Sequence, residues 1–221
     1  MEIKIFTFNL FQEHTMILRQ SGKDCVIVDP GFYSPEENEE FFSTLKNEAL
    51  NPVAILLTHG HLDHISGVKD IIDFAGSDIP VYMGGADQVE LEYDLTLSVK
   101  LGLRQPRIDF KHIDAKDGDT LSLAGMTFKV ITTPGHSPGS VCYLEENEKV
   151  MFTGDTLFAG TIGRTDFRFS NYDDEIRSIM EKLIWLDGDI TIYPGHGKTS
   201  TIGVERTSNP MLEPFNEKEE L

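Results

Sequence analysis

Cysteine is scarce in this chain. The two present, Cys25 and Cys142, lie in separate apolar runs, Cys-Val-Ile-Val and Val-Cys-Tyr-Leu. Both are expected to be buried as free thiols, with neither a disulfide nor a metal role. Basic residues are few as well: 19 Lys and Arg face 37 Asp and Glu, for a net charge of −18. That balance argues against nucleic acid as a partner, because such binding depends on neutralising phosphates. It leaves a small anionic substrate open, since divalent cations and one local arginine can reverse the field inside a cleft. No stretch approaches the roughly 20 apolar residues that span a bilayer. The opening MEIKIFTFNLFQEHTMIL carries acids early and alternates like a strand, unlike a cleaved leader. These absences predict a cytoplasmic protein without membrane contact. With 221 residues and 39% apolar content, one large domain over residues 1–221 is expected, as a monomer or small homo-oligomer.

What is present reads as strands and single-faced helices. Residues 2–8, 15–20 and 25–28 alternate like strands. Ser34, Pro35 and Glu37 spell a capped helix start, and Asn51-Pro52 is the expected break after it. Residues 53–57 are wholly apolar and predict a strand buried on both faces, running straight into His59. A helix is expected to begin near Ser66, a strand over 79–83, and helix with loop over 86–103. The second half offers strands at 120–123, 127–132, 140–144 and 149–152. An amphipathic helix over 173–186 and a last core strand at 190–193 follow, then a polar tail with a final helical turn. Two packed sheets with helices outside are the architecture this order favours. Each half also repeats the pattern of strands, helix, strand.

Five of the seven histidines sit beside short turns at the ends of apolar runs. They occur in Thr58-His59-Gly60-His61-Leu62-Asp63-His64, Pro134-Gly135-His136 and Pro194-Gly195-His196, and Gly154-Asp155 adds a carboxylate. Neutral imidazole suits borderline metals and carboxylate supplies hard oxygen, so the set predicts a metal site large enough for two ions. Taken singly, a His after Pro-Gly or an Asp after Gly is usually only part of a turn; five histidines and two acids at strand ends are not. His14 and His112 are read as exposed or structural.

Residues 58–64 resemble the HxHxDH signature of the metallo-beta-lactamase superfamily, and His136, Asp155 and His196 resemble its remaining ligands. The resemblance spans nearly the whole chain and implies an α/β fold, the four-layer αββα sandwich. It implies one ion on His59, His61 and His136, a second on Asp63, His64 and His196, and Asp155 bridging them. Classical zinc beta-lactamases commonly carry Cys or another residue where this chain has Asp155, which speaks against that activity. RNA-processing members carry a large inserted domain for which this chain has no room. Residues 154–158 and 163–167 are similar instead to the glyoxalase II group of thioester hydrolases. The ending around 195–210 resembles its short members, with 25 residues after His196 where the longer enzymes carry a glutathione-gripping helical domain.

The resemblance thus implies a metal-dependent hydrolase cleaving a small-molecule thioester such as S-D-lactoylglutathione. Two divalent ions, zinc first with iron or manganese as alternatives, would hold a bridging hydroxide oriented by Asp63. Two other readings stay open: a persulfide dioxygenase with one iron on His59, His136 and Asp155, and a non-enzymatic metal-binding domain. Arg164 is either a grip for an anionic substrate tail or a brace paired with Asp166. Arg168, Lys198 and Arg206 are weaker substrate candidates, and Phe158, Phe167 and Tyr172 are candidate pocket walls.

Overall fold

Alternation along the strands builds the molecule in four layers. A computed structural model of the protein describes residues 1–101 and 105–213. One six-stranded sheet runs in chain order through β1 (Glu2–Phe8), β2 (Glu13–Arg19), β3 (Asp24–Val28), β4 (Asn51–Leu56), β5 (Val81–Met83) and β6 (Ile113–Asp114). Its first three strands are antiparallel and β3 to β6 are parallel. The second sheet uses β7 (Thr120–Leu123), β8 (Met126–Thr132), β9 (Val141–Glu145), β10 (Val150–Gly154), β13 (Thr191–Pro194) and β14 (Ser200–Thr201), in the order β14-β13-β10-β9-β8-β7. A short ribbon, β11 (Leu157–Phe158) with β12 (Thr161–Ile162), lies between β10 and the next helix.

Each strand sends alternate side chains into different apolar layers. Met16, Leu18, Val26, Val28, Ala54 and Leu56 point between the sheets, where they meet Phe128, Val130, Tyr143 and Phe152. Their neighbours Ile17, Cys25, Ile27, Ile55 and Leu57 point the other way, onto α1 (Pro35–Asn47) and α3 (Val68–Ala75) through Phe41, Leu45 and Ile71. On the second sheet Ile131, Cys142, Leu144, Met151 and Ile192 face outward, onto α5 (Tyr172–Ser178), the wider turn that continues it, and α6 (Ile202–Ser208). The result is the expected αββα sandwich. Both cysteines are buried and free.

Local departures from the sequence reading have local causes. Asn51-Pro52 does not interrupt the chain but opens β4. Its register with β3 shifts between Cys25 and Val26, next to the Cys25–Pro52 pair, and a bulge is one of the few places where a strand takes proline. The helix expected to begin near Ser66 is α3, and a separate single turn, α2 (Leu62–Ile65), precedes it within the histidine loop. Gly67 passes so close to the Phe32 ring that a Cβ there would meet it at 2.6 Å, and its N–H turns away to Pro30 O. After Ser178 the predicted long helix widens to a π turn over Ile179–Leu183. The capped start at Ser34 has the full reciprocal pattern: Ser34 accepts from Glu37 N–H and Glu37 accepts from Ser34 N–H. Residues 86–101 are a short 3-10 turn followed by α4 (Gln88–Leu101); the end of that expected stretch, Leu103, and the tail beyond Glu213 lie outside the described residues.

Candidate metal centre

Four turns leave the C-terminal ends of four strands at one edge of the sandwich. β4 runs into residues 57–64, β8 into the turn carrying His136, β10 into Asp155, and β13 into His196. The sheets are tied together at this edge. Val141 N–H donates to Thr58 O at 2.8 Å, and the buried Tyr143 hydroxyl donates to Leu57 O at 2.9 Å. Two glycines make the approach close enough. Gly154, at φ +49°, lies against the Thr58 side chain, and a Cβ on Gly195 would meet the His64 ring at 2.6 Å.

All seven sequence candidates come together here. Donor atoms of His59, His61 and His136 lie within 4.8 Å of one another, as do those of Asp63, His64 and His196. His61 Nδ1 and His136 Nε2 are 3.0 Å apart, and His64 Nε2 and His196 Nε2 are 3.3 Å apart. Asp155 stands between the groups: Oδ2 is 3.6 Å from His136 Nε2 and 3.4 Å from His196 Nε2, and Oδ1 is 3.6 Å from His64 Nε2. Zinc–nitrogen bonds of about 2.0–2.1 Å in a tetrahedral site put ligand nitrogens about 3.3 Å apart, so these spacings suit an ion. A second observation agrees. His59 Nε2 and Asp155 Oδ1 are buried without a hydrogen-bond partner, and an unpaired buried polar atom is costly unless something such as a cation completes it. The cluster is a metal-binding site with donors enough for two ions.

The rear nitrogens of the rings are held too. His59 Nδ1 is 3.1 Å from Thr58 Oγ1, which donates to Asp29. Asp29 also faces His64 Nδ1 at 3.1 Å. His136 Nδ1 donates to Arg164 O at 2.9 Å and His196 Nδ1 to Phe11 O at 3.0 Å. Around the site lie further acids that the sequence reading did not single out: Glu13, Asp29, Asp87, Glu90, Asp94 and Glu175, all buried. Asp29 carries a left-handed backbone, φ 45°, which aims its carboxylate at Thr58 and His64. The signal for Asp87, Glu90 and Asp94 was available in their three-and-four spacing on a helix.

Without metal these charges pull the titrations apart. Burial drives His136 down to about 4, and burial with the neighbouring imidazoles holds His59 well below the usual histidine range. Burial opposes protonation of His61 and His196 as well, but Glu90 lifts the first to about 9, while Asp155 and Asp63 lift the second to about 11. For Asp155, burial is outweighed by His64, His196 and His136, and the carboxyl stays far below its ordinary value. Burial pushes Glu175 up to about 8, and Asp87 and Asp94 to about 6.

Two cavities open onto the donors, of about 420 Å³ and 520 Å³. Both are lined by Phe11, Asp63, His136, Asp155, Arg164 and Phe167. Glu90, Tyr93, Asp94 and Arg168 extend the first; Phe158, His196 and Lys198 extend the second. Arg164 makes a paired contact with Asp166, both bonds 3.0 Å, and stacks over Phe167 at 4.7 Å. Its side chain is nonetheless 69% exposed at the mouth. Tyr172 is not a wall of either cavity. Arg206 is also no substrate candidate, because its guanidinium donates to Ile184 O and Leu186 O beneath α6. His14 packs beside the site, Nδ1 donating to Pro194 O at 3.2 Å, and neither it nor His112 enters a donor group among the described residues.

A profile of the metallo-beta-lactamase superfamily matches residues 9–196. The hydroxyacylglutathione hydrolase GloC of Haemophilus influenzae is 37% identical over 220 residues, covering 96% of this chain and 98% of that protein. Among solved structures, the BLEG-1 B3 metallo-beta-lactamase superposes with a TM-score of 0.84 at 36% identity, covering 96% of this chain and 99% of that one. TTHA1623 in a di-iron-bound form gives 0.80 at 30% identity, covering 95% and 100%.

Proposed function

Because the chain belongs to the metallo-beta-lactamase superfamily, as one of its metal-dependent hydrolases, we propose that it cleaves a small acyl thioester such as S-D-lactoylglutathione. The observation that carries the reading is the seven-donor cluster, with its two orphaned buried atoms, at the floor of a cleft walled by aromatic rings. The 37% identity to a hydroxyacylglutathione hydrolase supports the choice of substrate.

In this reading His59, His61 and His136 would hold one ion, Asp63, His64 and His196 the other, with Asp155 shared. Such ions, when bound, supply Lewis acidity and bring the pKa of water from 15.7 to about 7. Asp63 accepts a hydrogen bond from the attacking water and sets its lone pair toward the carbonyl. Phe11 and Phe167 flank the thioester and thin out bulk water around it. Arg164 grips an anionic tail of the substrate at the mouth, in exchange for part of its contact with Asp166. The departing thiolate takes its proton from solvent through the open side of the cleft.

Zinc is the first choice of metal, with iron and manganese as alternatives, and the di-iron relative keeps iron in view. A second reading, opening of a β-lactam ring, is favoured by the 36% identity to a B3 metallo-beta-lactamase. One experiment separates these. Protein of defined metal content is assayed for thiol release from S-D-lactoylglutathione, ring opening of a chromogenic cephalosporin, and oxygen consumption with glutathione persulfide. Thiol release is expected to dominate. Oxygen uptake or β-lactam turnover without thioester cleavage would overturn the assignment.

A further inference from the structure

Three acids, Asp87 in the 3-10 turn before α4 and Glu90 and Asp94 within it, meet three consecutive residues of the histidine loop. Asp87 Oδ2 accepts the Gly60 N–H at 2.8 Å, Glu90 Oε2 lies 3.6 Å from His61 Nε2, and Asp94 Oδ2 accepts the Leu62 N–H at 2.6 Å. The spacing of three and four places them on one helical face, so the helix grips the loop residue by residue. The outer two hold backbone. Of the three, Glu90 is the one within ion-pair distance of a side chain of that loop.

His61 is also turned unlike the other rings of the cluster. The others direct Nδ1 to the rear: His59 to the Thr58 hydroxyl, His64 to Asp29, and His136 and His196 to carbonyls. His61 directs Nδ1 into the cluster, 3.0 Å from His136 Nε2, and leaves Nε2 to face Glu90. Of the three-histidine group its ring is the most exposed, so packing holds it least. Glu90 is buried, its other oxygen has no hydrogen-bond partner, and His61 is its one ion-pair partner among the described residues. A buried carboxylate without Lys or Arg is costly unless a cation lies just beyond the ring it touches. Three neutral imidazoles bring no charge of their own to an ion, and Glu90 supplies one behind His61.

We propose that Glu90 is the positioning residue of the three-histidine group: it fixes His61 as the Nε2–H tautomer and sets that group's affinity for its ion. The proposal rests on the reading that His59, His61 and His136 hold a metal. Carboxylates behind metal-binding histidines orient the ring and strengthen it as a ligand, and their loss typically costs about 10- to 100-fold in affinity.

Stepwise Zn(II) titration of the metal-free protein against a chromophoric chelator tests this, with Co(II) absorption spectra as a second reading of the ligand field. Glu90→Gln should weaken one of two binding constants about 10-fold, since Gln keeps an acceptor but loses the charge, and Glu90→Leu about 100-fold. The other constant should stay within about threefold. Nitrogen-15 shifts of the loaded wild type should show His61 protonated at Nε2. Glu92→Gln, exposed on the same helix, removes an equal charge away from the ring and should change neither constant. Above pH 9, where His61 no longer carries the proton that Glu90 holds on it, melting of metal-free Glu90→Gln should match the wild type or exceed it. Unchanged constants in both Glu90 variants would overturn the proposal. So would equal weakening of both constants together with a lower metal-free melting temperature at that pH, the outcome of mere bracing. His61→Ala keeps the underlying reading separable: if it too leaves both constants unchanged, the three-histidine group binds no ion and both readings fall.

Discussion

Under the proposed function, two tasks would meet on one side chain, Asp63. Its carboxylate is 3.5 Å from His196 Nε2 and 3.9 Å from His64 Nε2, and it also lines both cavities. Its place is set by backbone rather than by apolar packing, because the Asn9 side-chain amide donates to Asp63 O at 3.1 Å. Asp63→Ala should therefore lower kcat at least about 100-fold, as expected when metal and nucleophile are misplaced. With saturating metal its melting temperature should fall only a few degrees, since the buried run into His59 is untouched. Steady-state kinetics beside calorimetry decides it, and near-wild-type kcat would refute the role given to Asp63. The seven donors were legible in sequence because turn residues mark them. Asp29 and Glu175 were not, for a physical reason. Each acts across a long gap, Asp29 on Thr58 and His64 and Glu175 on the His136 N–H at 2.8 Å, and nothing in the flanking residues announces the partner.

At the scale of elements, α1 shows what sequence reads well. Ser34, Pro35 and Glu37 encode its start locally, and the structure has that start with its reciprocal bonds. Ser34→Ala should cost about 1 kcal/mol in denaturant unfolding, the usual worth of such a cap, with kcat unchanged because α1 lies outside the cleft. A loss of activity at equal stability would show that the cap reaches the site, for Glu37 also accepts the Asn9 N–H at 2.6 Å. Elements decided by distant neighbours read less well. The break at Gly67 comes from the Phe32 ring, and the strand that accepts Pro52 does so through a bulge against β3. Short edge strands such as β6 and β14 have two residues each, too few for a period to appear.

For the whole molecule the unbalanced charge becomes a pH dependence. In the metal-free protein Glu175 titrates near 8, His61 near 9 and His196 near 11, all above the values of 4.5 and 6.5 they take when unfolded. The native state therefore holds more protons than the unfolded one across this range, so stability is greatest at the low side and is lost as pH rises. Each excess proton is worth about 1.4 kcal/mol per pH unit, or about 3 °C in a chain of this size. The melting temperature of metal-free protein should fall from pH 6.5 to pH 9. Metal displaces the protons of its ligand histidines, so the loaded protein should show a flatter curve as well as a higher one. A metal-free protein whose stability rises over that interval would contradict the charge arrangement described here.

The two sheets contribute unequally placed halves of each donor group: the first sheet sends His59 and His61 to meet His136 of the second, and Asp63 and His64 to meet His196. An ion in either group would thus be a rivet through both plates of the sandwich, at the edge where the apolar filling ends. The gap between the plates is set behind the donors, by the girth of Tyr143, Phe128 and Phe152. Thickness in the middle becomes calibre at the rim, and side chains that never touch the metals gauge the space the ions are given.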